Sequence, residues 1–293
     1  MTRKTLYAWM ILTLLLALCG LKSQASGTYA RNGGSAFGNG ASLAKGEVQF
    51  GLKADFQHFT KLRLANGNYQ RVLDVRYRTY TLYGEYGLTK NSSLYVAIPY
   101  IDNDSDIKAP AYASESGIGD VRVGYTKTFN ARKNSSLTGI AEVTIPFRNY
   151  STRKLTAPGD NSVDLLAKLA YRVEGIAGTS LFTNVAAGGK LRASKSPDQW
   201  LWDAELGARL TRSASISTFL DSVDSGHGVG LGSQEFVNSG GDYALLKQTV
   251  TRLGIRGLFS IGKVNGELYY ARAIRFQNQA PGDYYGLSIS GRF

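Results

Sequence analysis

His58 and His227 are the only two imidazoles available for proton transfer. An enzyme that cleaves lipid esters needs a histidine close to a serine, so that the ring can take the hydroxyl proton. His58 is followed by Phe59-Thr60 and His227 by Gly228-Val229, and neither gives a His-x-Ser arrangement. Asp102-Asn103-Asp104-Ser105-Asp106 supplies oxygen atoms suited to calcium but lacks the remaining positions of a calcium loop. Gly226-His227-Gly228-Val229-Gly230-Leu231-Gly232 has the composition of a phosphate cradle without dinucleotide spacing or a following helix. It reads as a mobile outer loop that gates a mouth. The single cysteine, Cys19, lies in a segment expected to be discarded, which leaves no thiolate chemistry. No catalytic residue, metal site or cofactor is therefore expected.

The charged residues follow a different logic, with a period of two. In Glu47 to Gln57, Val48, Phe50, Leu52, Ala54 and Phe56 alternate with polar residues or glycine. A strand sends those two sets to opposite faces, whereas a helix mixes them. The same pattern recurs around Val121–Phe129, Leu137–Phe147, Val163–Val173, Trp200–Leu210 and Leu253–Phe259. One face carries Lys53, Arg122, Lys168, Arg172, Arg209, Arg252 and Arg256. It also carries Glu47, Asp55, Asp120, Glu142, Asp164, Asp203, Glu205 and Asp221. A midplane Arg or Lys facing lipid costs about 2–4 kcal/mol, so these side chains are expected to line a lumen. Their signs roughly balance. They suit either a salt-bridge network filling a narrow barrel or a polar pathway for a solute, and the same charges serve both readings.

Such a lumen needs strands long enough to cross a bilayer, about 9–11 residues each when tilted. About twelve segments qualify: 47–59, 72–88, 93–101, 117–129, 136–147, 162–174, 179–190, 199–211, 214–223, 244–261, 265–276 and 283–293. Faces are ambiguous in 72–88 and 265–276. In the second, Arg272 shares a face with Leu268, Tyr270, Ile274 and Phe276, which points to a bulge or an inward patch. Mostly short connections alternate with longer ones near 60–71, 102–116, 148–161, 191–198 and 224–242, the pattern of bacterial barrels. The expected fold is all-β, a transmembrane antiparallel barrel of about twelve strands spanning 46–293. The 18 tyrosines suit interface girdles. A soluble β-sandwich also alternates, but the N-terminal signal, the tyrosines and the loop asymmetry argue against it.

The N-terminus reads as a cleaved signal peptide over 1–25. Arg3 and Lys4 precede an apolar stretch from Leu6 to Leu18, and Ser23-Gln24-Ala25 offers a cleavage site. Residues 26–45 read as a flexible leader or a small lumen plug. Phe293 closes an alternating strand with Tyr285, Leu287 and Ile289 and resembles the signal read by the barrel-assembly machinery. These features place the chain in the bacterial outer membrane. The formal charge is +12, and about +9 without Arg3, Lys4 and Lys22. The surplus lies mainly in connections, at Lys61, Arg63, Arg71, Arg148, Arg153, Lys154, Lys190, Arg192 and Lys195, where it can pair with lipopolysaccharide phosphates. Outer-membrane lipid and a small-molecule solute are the expected partners. No basic stretch carries aromatic residues at a nucleic-acid-binding spacing.

Gly117-Ile118-Gly119-Asp120-Val121-Arg122-Val123-Gly124-Tyr125 resembles a strand opening of the MetA-pathway phenol-degradation family of outer-membrane proteins. Glu85-Tyr86-Gly87-Leu88-Thr89 with Leu94, then Ile98-Pro99-Tyr100 and the similar Ile145-Pro146-Phe147, resembles that family's hairpins. The family is grouped with long-chain fatty-acid-type transporters. The resemblance implies an uptake channel for small hydrophobic or aromatic compounds and transfers no binding site. The short N-terminal stretch departs from the long hatch of the fatty-acid transporters. Passive transport is the expected function, with two rivals: a non-conducting structural barrel held to lipopolysaccharide, and a lipid-modifying enzyme.

Overall fold

A computed structural model describes residues 43–293 except 65, 107–112, 133, 194 and 279–281. The expected signal peptide and nearly all of the leader lie outside the described residues. Thirteen strands follow in order: β1 (Val48–Arg63), β2 (Tyr69–Thr89), β3 (Ser92–Ser105), β4 (Glu115–Ile118), β5 (Val121–Arg132), β6 (Ser135–Ile145), β7 (Asp164–Glu174), β8 (Leu181–Arg192), β9 (Gln199–Arg209), β10 (Ala214–Ser225), β11 (Thr249–Ile261), β12 (Val264–Gln277) and β13 (Asp283–Arg292). Each pairs antiparallel with its neighbours, and β1 pairs with both β2 and β13, so the sheet closes on itself. β4 and β5 both pair with β3 and form one broken stave, giving a twelve-stave barrel. The break falls at Gly119-Asp120, where a Cβ on Gly119 would meet the Pro158 carbonyl oxygen at 2.9 Å.

Burial alternates along the strands as the lumen–lipid division requires. In β7, Asp164, Leu166, Lys168, Ala170 and Arg172 are buried, while Leu169 and Tyr171 are exposed. In β13, Tyr284, Gly286, Ser288 and Ser290 are buried and Tyr285, Leu287 and Ile289 exposed. The exposed apolar row continues around the barrel through Leu52, Leu82, Val96, Val123, Trp202, Ile216 and Ile255. Lipid solvates these residues and water would not, so burying this face in a bilayer drives insertion.

Three departures from simple alternation matter. The connection expected over 60–71 is shorter, because β1 and β2 extend as a tall hairpin with an irregularity between Phe59 and Lys61. β11 begins at Thr249 instead of 244, so the preceding connection is correspondingly longer. A bulge opposite Thr251–Arg252 interrupts β12, since Arg252 faces Ala273 while Thr251 faces Arg275. The extra residue reverses the alternation. Phe276 is buried, while Arg272, Ile274 and Arg275 all point outward.

Candidate functional site

Large inward side chains can leave a cavity only if they lie flat against the wall, and glycines allow that. A Cβ on Gly124 would sit 2.2 Å from the Tyr95 ring, and one on Gly207 2.3 Å from Phe182. Gly254 receives Phe219 and Gly286 receives Tyr269 in the same way. Cations then stand over these and neighbouring rings. Arg172 lies 4.6 Å from the Phe182 centroid, Arg252 4.9 Å from Tyr284, Arg256 5.5 Å from Phe219 and Lys53 5.5 Å from Tyr269. The ring quadrupole attracts each cation, and the rings hold the long side chains in place.

The resulting cavity has a volume of 580 Å³. Its wall combines Tyr77, Tyr83, Tyr95, Phe219, Tyr269 and Tyr284 with charged groups. Tyr83 and Tyr95 stack at 6.0 Å between centroids. The Tyr95 hydroxyl donates to Glu142 at 2.7 Å, and Tyr83 donates to Glu85.

Around the middle of the strands, ion pairs between staves form a floor. Lys168 of β7 binds Asp203 of β9, both buried. Arg256 of β11 bridges Glu205 and Glu267, each at 3.1 Å. Arg252 grips Asp221 through two hydrogen bonds of 2.7 and 3.1 Å. Burying such charges is costly, and these are tolerable because each is paired. Beyond the floor a smaller hollow of 190 Å³ opens among Arg172, Arg209, Arg212 and the turn at Thr211–Ser213.

The outer mouth is covered by two connections. Residues 146–163 fold inward, so that Pro158 lines the cavity. The Tyr77 hydroxyl donates to the Leu155 carbonyl at 2.8 Å and the Asn103 amide to that of Thr156 at 2.9 Å. Tyr150 donates to the Ile118 carbonyl at 2.5 Å. Burial, then the nearby Asp120 carboxyl, pushes the Tyr150 phenol above its ordinary pKa, so it remains a donor. Residues 226–248 carry a short helix, α1 (Gln234–Asn238), capped by Ser233. Leu231 and Leu246 from this connection pack with Phe59, Leu62 and Val75 of the tall β1–β2 hairpin. The glycine run at Gly226–Gly232, expected to be a mobile loop, is thereby pinned. Val229 pairs with Leu246, and Leu231 N–H donates to Asn278.

Residues 36–235 match the family described as "Putative MetA-pathway of phenol degradation". The chain belongs to this family. No curated protein sequence matches it. Among solved structures it resembles the COG4313 outer membrane channel from Pseudomonas putida F1, at 16% identity and a TM-score of 0.71, covering 90% of this chain and all of that one. It also resembles the NanC porin, at 7% identity and a TM-score of 0.52, covering 83% of this chain and 98% of that one. These likenesses show a shared fold, and with the family they place the barrel in the bacterial outer membrane.

Within this MetA-pathway family barrel, the charged residues singled out from sequence divide into three groups. Lys53, Asp55, Asp120, Arg122, Glu142, Arg252 and Arg256 line the cavity. Asp164, Lys168, Arg172, Asp203 and Glu205 face inward and are buried, with Asp164 held by Lys190 at 2.6 Å and by Arg192 at 3.2 Å. Arg209 differs: it sits at the periplasmic rim, 55% exposed, paired with Glu174. Glu47 lies near that end too, accepting from the Ala44 N–H at 2.8 Å. Asp221 joins the floor through Arg252. The basic positions Lys190 and Arg192 flank the outer connection after β8 as expected, and their side chains reach inward to Asp164. The lumen tyrosines were missed as site residues, because tyrosine reads as apolar on either face. His58 lies on the barrel exterior, paired with Asp74.

Proposed function

We propose that the barrel mediates passive uptake of small aromatic or hydrophobic solutes across the outer membrane. The observation that carries this reading is the 580 Å³ cavity walled by the rings of Tyr77, Tyr83, Tyr95, Phe219, Tyr269 and Tyr284. Polar rims and cation-faced rings suit a flat solute with a hydroxyl group, which can stack on Tyr83 or Tyr95 and hydrogen-bond to Glu142. The description of the family, which concerns phenol degradation, supports the same solute class. The lumen charges are read as the polar lining of this path, and the barrel as a conduit that performs no bond chemistry.

The covered mouth and the ion-paired floor favour a narrow path that opens transiently. The test is single-channel recording of the refolded barrel in a planar bilayer with p-nitrophenol added. Brief openings interrupted by the solute, with interruptions lost in Tyr95→Ala, support the reading. A silent barrel, or a current indifferent to the solute, overturns it.

A further inference from the structure

The cations around the cavity are not equally engaged. Lys53 pairs with Asp55 at 2.9 Å and Lys190 with Asp164 at 2.6 Å. Arg252 is held by Asp221, and Arg256 by Glu205 and Glu267. Arg122 also lines the cavity, yet it makes no hydrogen bond or ion pair among the described residues.

Strand register defines its surroundings. Tyr83, Ala97, Arg122 and Thr144 are successive cross-strand partners on β2, β3, β5 and β6. The next inward row towards the periplasm runs through Glu85, Tyr95, Gly124 and Glu142. Gly124 has no side chain, so the Tyr95 ring lies across it and its hydroxyl reaches Glu142 at 2.7 Å. Arg122 and Glu142 are diagonal neighbours on one strand pair, a separation that long side chains can span. They nevertheless form no ion pair, because Tyr95 holds the carboxylate on its own side. The second Glu142 oxygen has no hydrogen-bond partner among the described residues. The other carboxylates of this quarter are engaged elsewhere. Glu85 accepts from Tyr83 and Ser93. Asp120 accepts from the Asp160 N–H at 3.4 Å and packs against Gly159 of the inward connection. One guanidinium and one carboxylate oxygen thus stand apart and uncommitted beside the Tyr83–Tyr95 stack.

We propose that the solute selected here is an aromatic acid with a hydroxyl on the far side of its ring, of the 4-hydroxybenzoate type. This rests on the reading of the cavity as a solute site and narrows its solute class. The carboxylate takes the fork of Arg122, the hydroxyl donates to Glu142, and the ring lies against Tyr95. The two rows are two residues apart along each strand, about 7 Å, which suits a benzene ring with a substituent at each end. A carboxylate in contact with Arg122 is then roughly twice as far from Glu142, so attraction exceeds repulsion about twofold. A neutral phenol uses Glu142 alone and leaves the guanidinium unmatched.

The test is equilibrium dialysis of the folded full barrel in detergent against 4-hydroxybenzoate, 4-hydroxybenzamide and benzoate. The amide keeps the ring and hydroxyl without the charge, and benzoate keeps the charge without the hydroxyl. In the wild type 4-hydroxybenzoate should bind about tenfold more tightly than the amide, the gain expected from a charge-assisted contact, and more tightly than benzoate. Arg122→Gln should erase the preference for the acid over the amide. Heat-modifiable gel mobility establishes that the variant is folded. Equal binding of acid and amide by the wild type, or an undiminished preference in folded Arg122→Gln, overturns this inference and leaves the aromatic solute site standing. Binding of benzoate equal to that of 4-hydroxybenzoate overturns the role given to Glu142. Binding of none of the three overturns the solute site itself and this inference with it.

Discussion

Arg256 is the keystone of the floor, and removing it gives a calculable penalty. Its guanidinium lies 3.1 Å from both Glu205 and Glu267, and all three side chains are less than 10% exposed. With charge centres about 4 Å apart and an effective dielectric near 20, each attraction is worth about 4 kcal/mol before desolvation is subtracted. Arg256→Met keeps most of the volume and leaves two carboxylates facing each other without a cation. Breaking a buried pair in this way typically costs about 3–5 kcal/mol. Urea unfolding of the refolded barrel in lipid vesicles should therefore show a loss of that size. Adding Glu205→Gln and Glu267→Gln to the same chain should restore most of it, because the uncompensated charge is gone. A loss below about 1 kcal/mol, or a triple variant no better than the single one, would refute the view that the floor is an electrostatic lock.

Leu231→Asp places a charge in the apolar cluster over the mouth, where burying a leucine contributes about 1.5–3 kcal/mol, and should raise the frequency of openings in planar bilayers. An unchanged record would show that residues 226–248 do not limit access. Arg172→Glu should shift ion selectivity towards cations, whereas Arg209→Glu, at the exposed rim, should shift it less; equal shifts would contradict their different burial. Removal of Phe293 should reduce the yield of heat-modifiable barrel in outer membranes. Its backbone exchanges hydrogen bonds of 2.8 and 3.1 Å with Val48, and a normal yield would show that it is dispensable for assembly.

Much of the fold was legible because a barrel wall separates two solvents. Every strand residue must suit one of them, so Lys168 and Arg172 alternating with Leu169 and Tyr171 settle the inward face locally. Bulges escape such reading, since a single extra residue leaves composition unchanged. Phe276 looked like a partner of Ile274, and only the pairing of Arg252 with Ala273 shows that it turns inward. The aromatic half of the site was hidden for a related reason. Tyr83 and Tyr95 stand among Leu82, Leu94 and Val96, and an apolar ring gives no sign of which face it takes. The mouth cover was illegible because Leu231 and Leu246 meet Phe59 and Val75 only in three dimensions.

The seam between β1 and β13 carries a kinetic consequence. Gln49 hydrogen-bonds to Ser290 across a sequence separation of 241 residues, and neither of those strands gains its second neighbour until the ring closes. Closing so long a loop yields no reward until nearly every other stave is in place. Before that moment β1 and β13 present open edges to any other strand they meet, the condition that favours aggregation. An exported chain of this design must cross the aqueous periplasm with its lipid-facing residues in water, so its survival depends on how quickly the two edges find each other.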